Sequence, residues 1–250
     1  MNFLNTVNNF FWKRIFFFFN FSVICILLVS VTYFAGEKIT SLGSAKDTAV
    51  NAGSKLTVII DAGHGGLDGG ASTDGGVLEK HLNLAVAKKL AALFSYTEVE
   101  VVMTRESDVM LASPDSSHKK RDDLNARLHM ADNYENCIFI SIHMNKFPVE
   151  KYSGLQVYYS KNLPESEALA EIIKNKNTEY FQKNNIRETK AADSSIYILH
   201  NIKVPAVLVE CGFLSNREEA ELLQTEEYQN KLAALIFASV TDHIGGVSSE

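Results

Sequence analysis

Four side chains in this sequence have the types and the spacing that metal-assisted hydrolysis needs. His64 and His143 each follow an apolar run, and Glu210 ends a third, so all three are predicted at strand ends. Glu79 opens a predicted helix after the glycine-rich loop that contains His64. Two neutral imidazoles and one carboxylate would bind zinc and leave a position for water, and the spare carboxylate would be a general base. These residues alone leave open which glutamate has which role.

Ordinary structural roles are the alternative for each of these residues. A single histidine at a strand end is more often structural than a ligand, and a glutamate in a first helical turn interacts favourably with the helix dipole. Glycine-rich turns after strands also bind phosphates. His129, in a predicted helix, and His200, in a loop after a predicted strand, are rival ligands. We favour the four-residue site because the strand-then-ligand unit recurs, and neither rival lies in such a unit.

The segments around these residues alternate between strand and helix patterns. This alternation predicts an α/β fold, a single domain with a mostly parallel twisted sheet flanked by helices. In such folds ligands bind beyond the carboxyl ends of the strands, which is where the candidate residues fall. The predicted strands cover residues 58–60, 98–105, 137–145, 154–160, 195–199 and 204–210, and the predicted helices cover 79–94, 121–133, 164–184 and the segment from 217 to about 244.

Details of the later segments give further expectations. The helix over 164–184 is predicted to bury a stripe formed by Leu169, Ile172, Ile173 and Tyr180. Asn216 and Glu219 have the spacing of a capping box at the start of the final helices.

The polar segment 185–195 contains Arg187 and Lys190. We expect a solvated loop there, and contact with an anionic substrate is the alternative.

The N-terminal part of the chain differs in kind from the rest. Residues 15–35 form an uncharged apolar run behind Lys13 and Arg14, long enough to span a bilayer. We therefore expect residues 1–35 to be a signal or membrane-anchor segment, with a cytoplasmic N-terminus and the rest of the chain outside. Tyr33 is poorly suited to a cleavage site after residue 35, which favours an uncleaved anchor. Residues 36–54 are predicted to be a linker, and residues 55–250 the catalytic domain.

Charge and cysteine content restrict the partners and the covalent links of the exported part. Residues 1–35 contain two basic and no acidic residues, so the remainder carries 22 basic and 30 acidic residues, a net charge of −8. This balance argues against nucleic acid as a partner. Cys25 lies in the apolar N-terminal run. Cys137 and Cys211 are expected at opposite edges of the sheet, so we predict buried free thiols and no disulfide.

Four segments together resemble the zinc-dependent N-acetylmuramoyl-L-alanine amidases of the amidase-3 family. The resemblance covers about residues 56–244 and implies cleavage of the amide between N-acetylmuramic acid and L-alanine of the peptidoglycan stem peptide. It also implies Zn²⁺ as the cofactor, with His64, Glu79 and His143 as ligands and Glu210 as the catalytic carboxylate. The segments are Asp61-Ala62-Gly63-His64-Gly65-Gly66, Leu78-Glu79-Lys80, Ser141-Ile142-His143-Met144-Asn145 and Val209-Glu210-Cys211-Gly212-Phe213-Leu214-Ser215-Asn216.

The short architecture and the segment 152–156 are similar to the germination-specific, CwlD-type subgroup of spore formers. This similarity implies a role in forming muramic-δ-lactam in the spore cortex. The N-terminal segment predicts an extracytoplasmic location, membrane-anchored or secreted, with the spore intermembrane space as one compartment that fits. The sequence leaves open whether an activating protein is a further partner. Met144 departs from the small residue of many relatives and is expected to narrow the groove. The alternatives are another extracytoplasmic zinc hydrolase, either a peptidase or a deacetylase, and an inactive wall-binding protein on the same fold.

Overall fold

The computed structural model describes residues 55–247, which form one α/β domain around a six-stranded sheet. The strands are β1 (Thr57–Ala62), β2 (Glu100–Met103), β3 (Cys137–Asn145), β4 (Gln156–Tyr159), β5 (Lys190–Ala191) and β6 (Ala206–Phe213). The strand order is β2-β1-β3-β6-β4-β5. Strands β1, β2, β3 and β6 run parallel, and β4 runs antiparallel to β6. The prediction of a single, mostly parallel α/β domain is confirmed.

Six α-helices cover the two faces of this sheet in the described part of the chain. They are α1 (Glu79–Phe94), α2 (Lys119–Ala131), α3 (Pro164–Lys176), α4 (Tyr197–Asn201), α5 (Arg217–Leu223) and α6 (Glu226–Val247). Alternate residues of β1 serve the two faces, as the two-residue period of a strand requires. Val58 and Ile60 pack into the larger core with α1, α3 and α6, whereas Ile59 packs into a smaller core with α2 and α4.

The parallel arrangement brings the carboxyl ends of β1, β3 and β6 to one edge of the sheet. His143 on β3 lies directly opposite Glu210 on β6 in the strand register. His64 follows the end of β1, the other neighbour of β3. The fold therefore gathers polar side chains that are far apart in sequence, as the strand-end pattern predicted.

Two predicted elements are wrong in detail. The segment Ser195–Leu199 was predicted as a strand, but it forms a turn followed by the start of α4. The turn is stabilised by a hydrogen bond of 2.8 Å from the Ser195 amide to the Asp193 side chain. The predicted long helix ends as the π-helical segment Asn177–Phe181. A π-turn has more residues per turn than an α-helix and rotates the buried face. Tyr180 is consequently 68% exposed, although it was predicted to be buried.

The predicted capping box is only half formed. Asn216 caps α5 by accepting a hydrogen bond from the Glu219 amide at 2.9 Å. The Glu219 carboxylate does not return to the Asn216 amide and accepts instead from the amides of Gly154 and Phe213. Phe213 ends β6 and Gly154 lies just before β4, and the hydrogen bonds from both amides to the Glu219 carboxylate are buried.

Met144 and the cysteines also test expectations about packing. The Met144 side chain is 3% exposed and belongs to the larger core, so the expectation that it narrows the groove is wrong. It follows His143 on β3 and therefore points to the opposite face of the sheet.

Cys137 and Cys211 are both buried and free, as predicted.

The expected membrane segment and linker, residues 1–54, lie outside the described residues. Within residues 55–247, no helix combines the length and the apolar character needed to cross a membrane.

Candidate active site

The loop after β1 presents His64 in a fixed orientation. His64 has a positive φ of 61°, which is uncommon for a residue other than glycine. The loop is closed by two backbone hydrogen bonds between Gly65 and Asp68, of 2.9 and 3.1 Å. The Asp68 carboxylate then lies 3.0 Å from Nδ1 of His64. This contact leaves Nε2 of the ring facing the interior of the site, where it lies 3.2 Å from Oε2 of Glu79.

Glu79, the first residue of α1, lies between the two histidines. Its Oε1 is 3.0 Å from Nδ1 of His143, on the other side of the carboxylate from His64. The rings of His64 and His143 meet edge to face, with centroids 5.0 Å apart. Burial opposes ionisation of Glu79, but hydrogen bonds from His143 and His64 outweigh it and hold the pKa of Glu79 well below its usual range. Glu79 is therefore an anion in the metal-free protein.

Three further donors hold the Glu79 carboxylate in place. Oε2 accepts a hydrogen bond from the Ala71 amide at 2.8 Å. Oε1 accepts from the Met144 amide at 3.1 Å and from the side-chain amide of Asn83 at 3.2 Å. Asn83 also donates to the carbonyl of Gly63 at 3.1 Å, which links α1 to the loop after β1. Because these donors come from three separate segments, the carboxylate has little freedom to rotate.

Glycine is required at Gly63 by the closeness of His143. A Cβ at position 63 would lie 2.2 Å from Nε2 of the His143 ring, a distance that real Cβ atoms essentially never show. Gly70 has the same role beside Glu79, since a Cβ there would lie 2.5 Å from Oε2. The glycine-rich sequence around His64 thus makes room for the side chains of the site, in addition to shaping the turn.

Glu210 has an environment opposite to that of Glu79. Its Oε2 is buried and has no hydrogen-bond partner among the described residues. Burial, together with repulsion from Glu79, raises the pKa of Glu210 to about 7, against the opposing attraction of His143 and His64. A buried carboxylate oxygen without a donor is costly unless another group, such as water or a ligand, interacts with it. The geometry therefore leaves Glu210 available for chemistry.

The cluster of His64, Glu79 and His143 has the donor set that zinc requires. A ring nitrogen of each histidine and a carboxylate oxygen of Glu79 all lie within 4.8 Å of one another. Two imidazole nitrogens and one carboxylate oxygen are a common catalytic zinc set, and the orphaned oxygen of Glu210 nearby suits a polar ligand on the open side. The rivals are placed elsewhere: His129 is exposed and contacts Asp132 at 2.8 Å, and His200 is exposed on α4.

A buried ionic network behind the loop was missed in the sequence. Asp61 accepts hydrogen bonds from Arg127 at 2.7 Å and from Ser141 at 2.6 Å. Arg127 also donates to the carbonyls of Ala62 at 2.8 Å and His64 at 2.7 Å. Burial opposes ionisation of Asp61, but the Arg127 charge, together with hydrogen bonds from Ser141 and Thr104, lowers its pKa. The network thus fixes the backbone that carries His64.

Arg105 supports the same loop from the other side. Its guanidinium donates to the carbonyls of Ala62 at 2.8 Å, Gly63 at 3.0 Å and Lys80 at 2.8 Å. The last contact ties the loop to the first turn of α1, next to Glu79. An arginine in a polar stretch after a strand gives no sequence signal for this role. The role of Asp68 was also not predicted, although the sequence contained a signal for it: a carboxylate four residues after a candidate ligand is within reach of the histidine ring.

Comparison with known proteins places the chain in a family. Residues 58–242 match the family model described as N-acetylmuramoyl-L-alanine amidase, Amidase_3. The chain belongs to this amidase family. The germination-specific N-acetylmuramoyl-L-alanine amidase of Bacillus subtilis is 37% identical over 186 residues, which cover 73% of this chain and 77% of that amidase. As a member of the family, the protein is an amidase that hydrolyses peptidoglycan.

Solved amidase structures show the same fold. The CwlD amidase of Clostridioides difficile, solved in complex with the GerS lipoprotein, is 37% identical with a TM-score of 0.72. The match covers 76% of this chain and 98% of that one. The amidase AmiC2 of Nostoc punctiforme is 32% identical with a TM-score of 0.67, and the match covers 77% of this chain and 99% of that one.

Proposed function

We propose that this amidase cleaves the amide between the lactyl group of N-acetylmuramic acid and L-alanine, with zinc held by His64, Glu79 and His143 and with Glu210 as general base. The observation that carries this proposal is the contrast between the two glutamates. Glu79 is ionised and hydrogen-bonded on both oxygens, as a ligand should be, whereas Glu210 has a free buried oxygen and a pKa of about 7. Groups whose environments separate their pKa values commonly divide binding and proton transfer between them.

Each residue has a defined part in the proposed reaction. When bound, zinc supplies a Lewis acid that polarises the amide carbonyl and lowers the pKa of water. Asp68 accepts a hydrogen bond from Nδ1 of His64 and orients the ring, so that Nε2 is the nitrogen that would bind the metal after losing its proton. Glu210 accepts a proton from the attacking water and returns it to the departing amide nitrogen, which leaves poorly until it is protonated. A carboxyl group with a pKa near neutrality is suited to both transfers.

Product analysis tests this proposal. The full chain with added zinc is incubated with purified peptidoglycan, and the products are identified by mass spectrometry. An amidase frees the amino group of L-alanine and leaves an intact lactyl group on muramic acid. New amino termini within the stem peptide would instead indicate a peptidase, and release of acetate a deacetylase. Retention of the protein on peptidoglycan without any product would indicate an inactive wall-binding protein.

A role in the spore cortex is the finer part of the proposal. It is supported by the germination-specific amidase of Bacillus subtilis and by the CwlD amidase among the relatives. Removal of the stem peptide frees the lactyl carboxyl group, whose carbon becomes the amide carbonyl of a muramic-δ-lactam ring when it is joined, with loss of water, to the amino group of the same sugar. We expect deletion of the gene to abolish muramic-δ-lactam in the cortex. Complementation with the wild-type gene should restore it and complementation with Glu210→Gln should not; normal lactam content in the deletion strain would contradict the role.

We further propose an extracytoplasmic location, with residues 15–35 as the anchor and a protein partner on the outer side. The partner is suggested by the CwlD amidase structure, which contains a lipoprotein. Protease added to intact protoplasts should digest the domain, unless it faces the spore intermembrane space, where protection would end once the outer membrane is opened. Affinity purification of the full chain from sporulating cells should recover an extracytoplasmic protein, and recovery of cytoplasmic proteins alone would contradict the location.

A further inference from the structure

A cluster of aromatic rings and one arginine lies beyond the carboxyl ends of β3 and β6. We define the aromatic wall as Phe147, Tyr152 and Phe213. Tyr152 packs edge to face on Phe147, with centroids 5.1 Å apart, and lies 6.5 Å from the ring of Phe213. Phe147 and Tyr152 are 47% and 38% exposed, so the wall faces solvent. The Arg187 guanidinium lies over the Phe213 ring, 4.4 Å from its centroid, and 5.9 Å from that of Tyr152.

Strand register puts this cluster at the same end of the sheet as Glu210, on the side of β6 and β4. Phe213 is the last residue of β6, three positions after Glu210. On the neighbouring strand β4, Gln156 lies opposite Glu210 and its side chain donates a hydrogen bond to the carbonyl of Glu188. The segment that carries Arg187 is therefore joined to β4, the strand next to Glu210, through the carbonyl of Glu188. The charges of Glu210 and Arg187 also act in opposite directions on the pKa of Tyr158 on β4, which burial raises.

Arg187 is held in place but retains donors that no protein group uses. Its Nε donates to the carbonyl of Ser153 at 2.9 Å, and its plane is held by Phe213. Within residues 55–247, no salt bridge involves Arg187, and the hydrogen bonds of its side chain use Nε alone. A guanidinium that is fixed by stacking and has two free nitrogens is preorganised to bind a carboxylate with two parallel hydrogen bonds.

We propose that Arg187, held on the aromatic wall, binds a carboxylate of the stem peptide and thereby determines substrate specificity. This inference rests on the proposed function. A muramoyl peptide has no charge at the scissile amide, so an anion near the reacting bond must come from the peptide. The second residue of the stem is glutamate linked through its side chain, and it has a free α-carboxylate or the corresponding carboxamide. Arg187 should therefore distinguish the carboxylate form from the amidated form.

The test uses two disaccharide-peptide fragments that differ only at this carboxyl group, as free acid and as amide. For the full chain with zinc, we expect kcat/KM to be about 10-fold higher for the acid, mainly through KM. Arg187→Gln should remove this preference, and Arg187→Lys should retain part of it. Both fragments are measured with the same preparation of each variant, so any unfolded protein lowers the two kcat/KM values equally and does not change their ratio. Binding to the Glu210→Gln variant, measured by calorimetry, should give a similar ratio without turnover.

Lys203→Gln is the matched control. Lys203 is exposed, precedes the opposite end of β6, and its replacement removes one positive charge without affecting the cluster. This variant should keep the wild-type preference. Equal loss of activity on both fragments in Arg187→Gln would show a structural role and overturn the proposal, as would equal wild-type kcat/KM and affinity for the two.

The muramic acid product also has a carboxylate, on the freed lactyl group. A separate experiment, on inhibition by this product, tests whether Arg187 binds that group. If Arg187 bound that group, Arg187→Gln would relieve inhibition by the muramic acid product and leave the preference between the fragments unchanged, which would overturn the proposal. The proposed function fails in a different way. In that case peptidoglycan and both fragments would remain uncleaved at the muramoyl amide by the wild-type protein, whereas failure of the inference alone leaves that cleavage intact.

Discussion

The two sides of the candidate site surround a glutamate in opposite ways. On the α1 side, Glu79 lies between His64 and His143 and accepts backbone hydrogen bonds on both oxygens. On the β6 side, Glu210 has a buried oxygen without a partner in the described chain. Their pKa values accordingly shift in opposite directions, downward for Glu79 and upward to about 7 for Glu210.

This difference shows how one fold can separate metal binding from proton transfer. A ligand must remain deprotonated at a fixed position, which the convergent donors around Glu79 achieve. A general base must exchange a proton near neutral pH, which requires the weakly solvated environment of Glu210. Either glutamate, placed in the surroundings of the other, would be poorly suited to its own task. The predictions below test each side of this comparison.

The largest effect is expected on the metal side. His64→Ala removes one of three donors, and we expect a folded protein that retains little zinc after dialysis, measured by elemental analysis. His129→Ala is the control, because His129 is exposed and contacts Asp132 and no residue of the cluster, and it should retain full zinc. Full zinc occupancy in His64→Ala would break the comparison, since the cluster would then not be the metal site.

The second prediction concerns Glu210 in the metal-free protein. Its folded pKa of about 7 lies above the ordinary value of 4.5, so protonation favours folding. This stabilisation is complete below the ordinary value and is lost as the pH rises through about 7. Between about pH 5 and 8, Glu210→Gln should therefore gain up to about 3 kcal/mol in unfolding free energy relative to wild type. Urea unfolding of wild type and Glu210→Gln at about pH 5 and at about pH 8 measures this gain. If the difference in unfolding free energy between the two proteins were the same at both pH values, the raised pKa would be refuted.

The third prediction concerns the contact between Asp68 and His64, and its expected effect on zinc binding is smaller. Asp68→Asn removes the negative charge beside His64 without changing shape, and zinc affinity should fall by about 10–100-fold. Competition with a chelator measures the affinity. Asp74→Asn, an exposed change in the same loop, should leave it unchanged. If both variants bind zinc as tightly as wild type, the contact between Asp68 and His64 does not orient the ring.

The sequence was sufficient to predict most of the fold and the meeting of the four candidate side chains at one edge of the sheet. Apolar runs ending in His143 and Glu210 predicted both strands, and parallel topology then required these ends to meet at one edge. Such regularities are local, and each is visible in a window of about ten residues.

The parts that could not be predicted depend on tertiary structure. Arg127 looked like any charged helical residue, and only the folded chain brings it to Asp61, 66 positions away. The π-turn that exposes Tyr180 leaves the apolar pattern before it unchanged. Likewise, Glu219 had the spacing of a capping box, but the buried amide of Gly154 competes for its carboxylate, and that amide approaches only after β4 is in place.

The most direct test of the division between the two glutamates is the paired measurement of zinc content and turnover in Glu210→Gln and Glu79→Gln. Glutamine at position 210 keeps shape and polarity but cannot exchange the proton. We predict full zinc content for Glu210→Gln, with kcat on peptidoglycan reduced by about 10²–10⁴. Glu79→Gln should lose most of its zinc. Loss of zinc from Glu210→Gln, or wild-type turnover by that variant, would contradict the assignment of Glu210 as the general base.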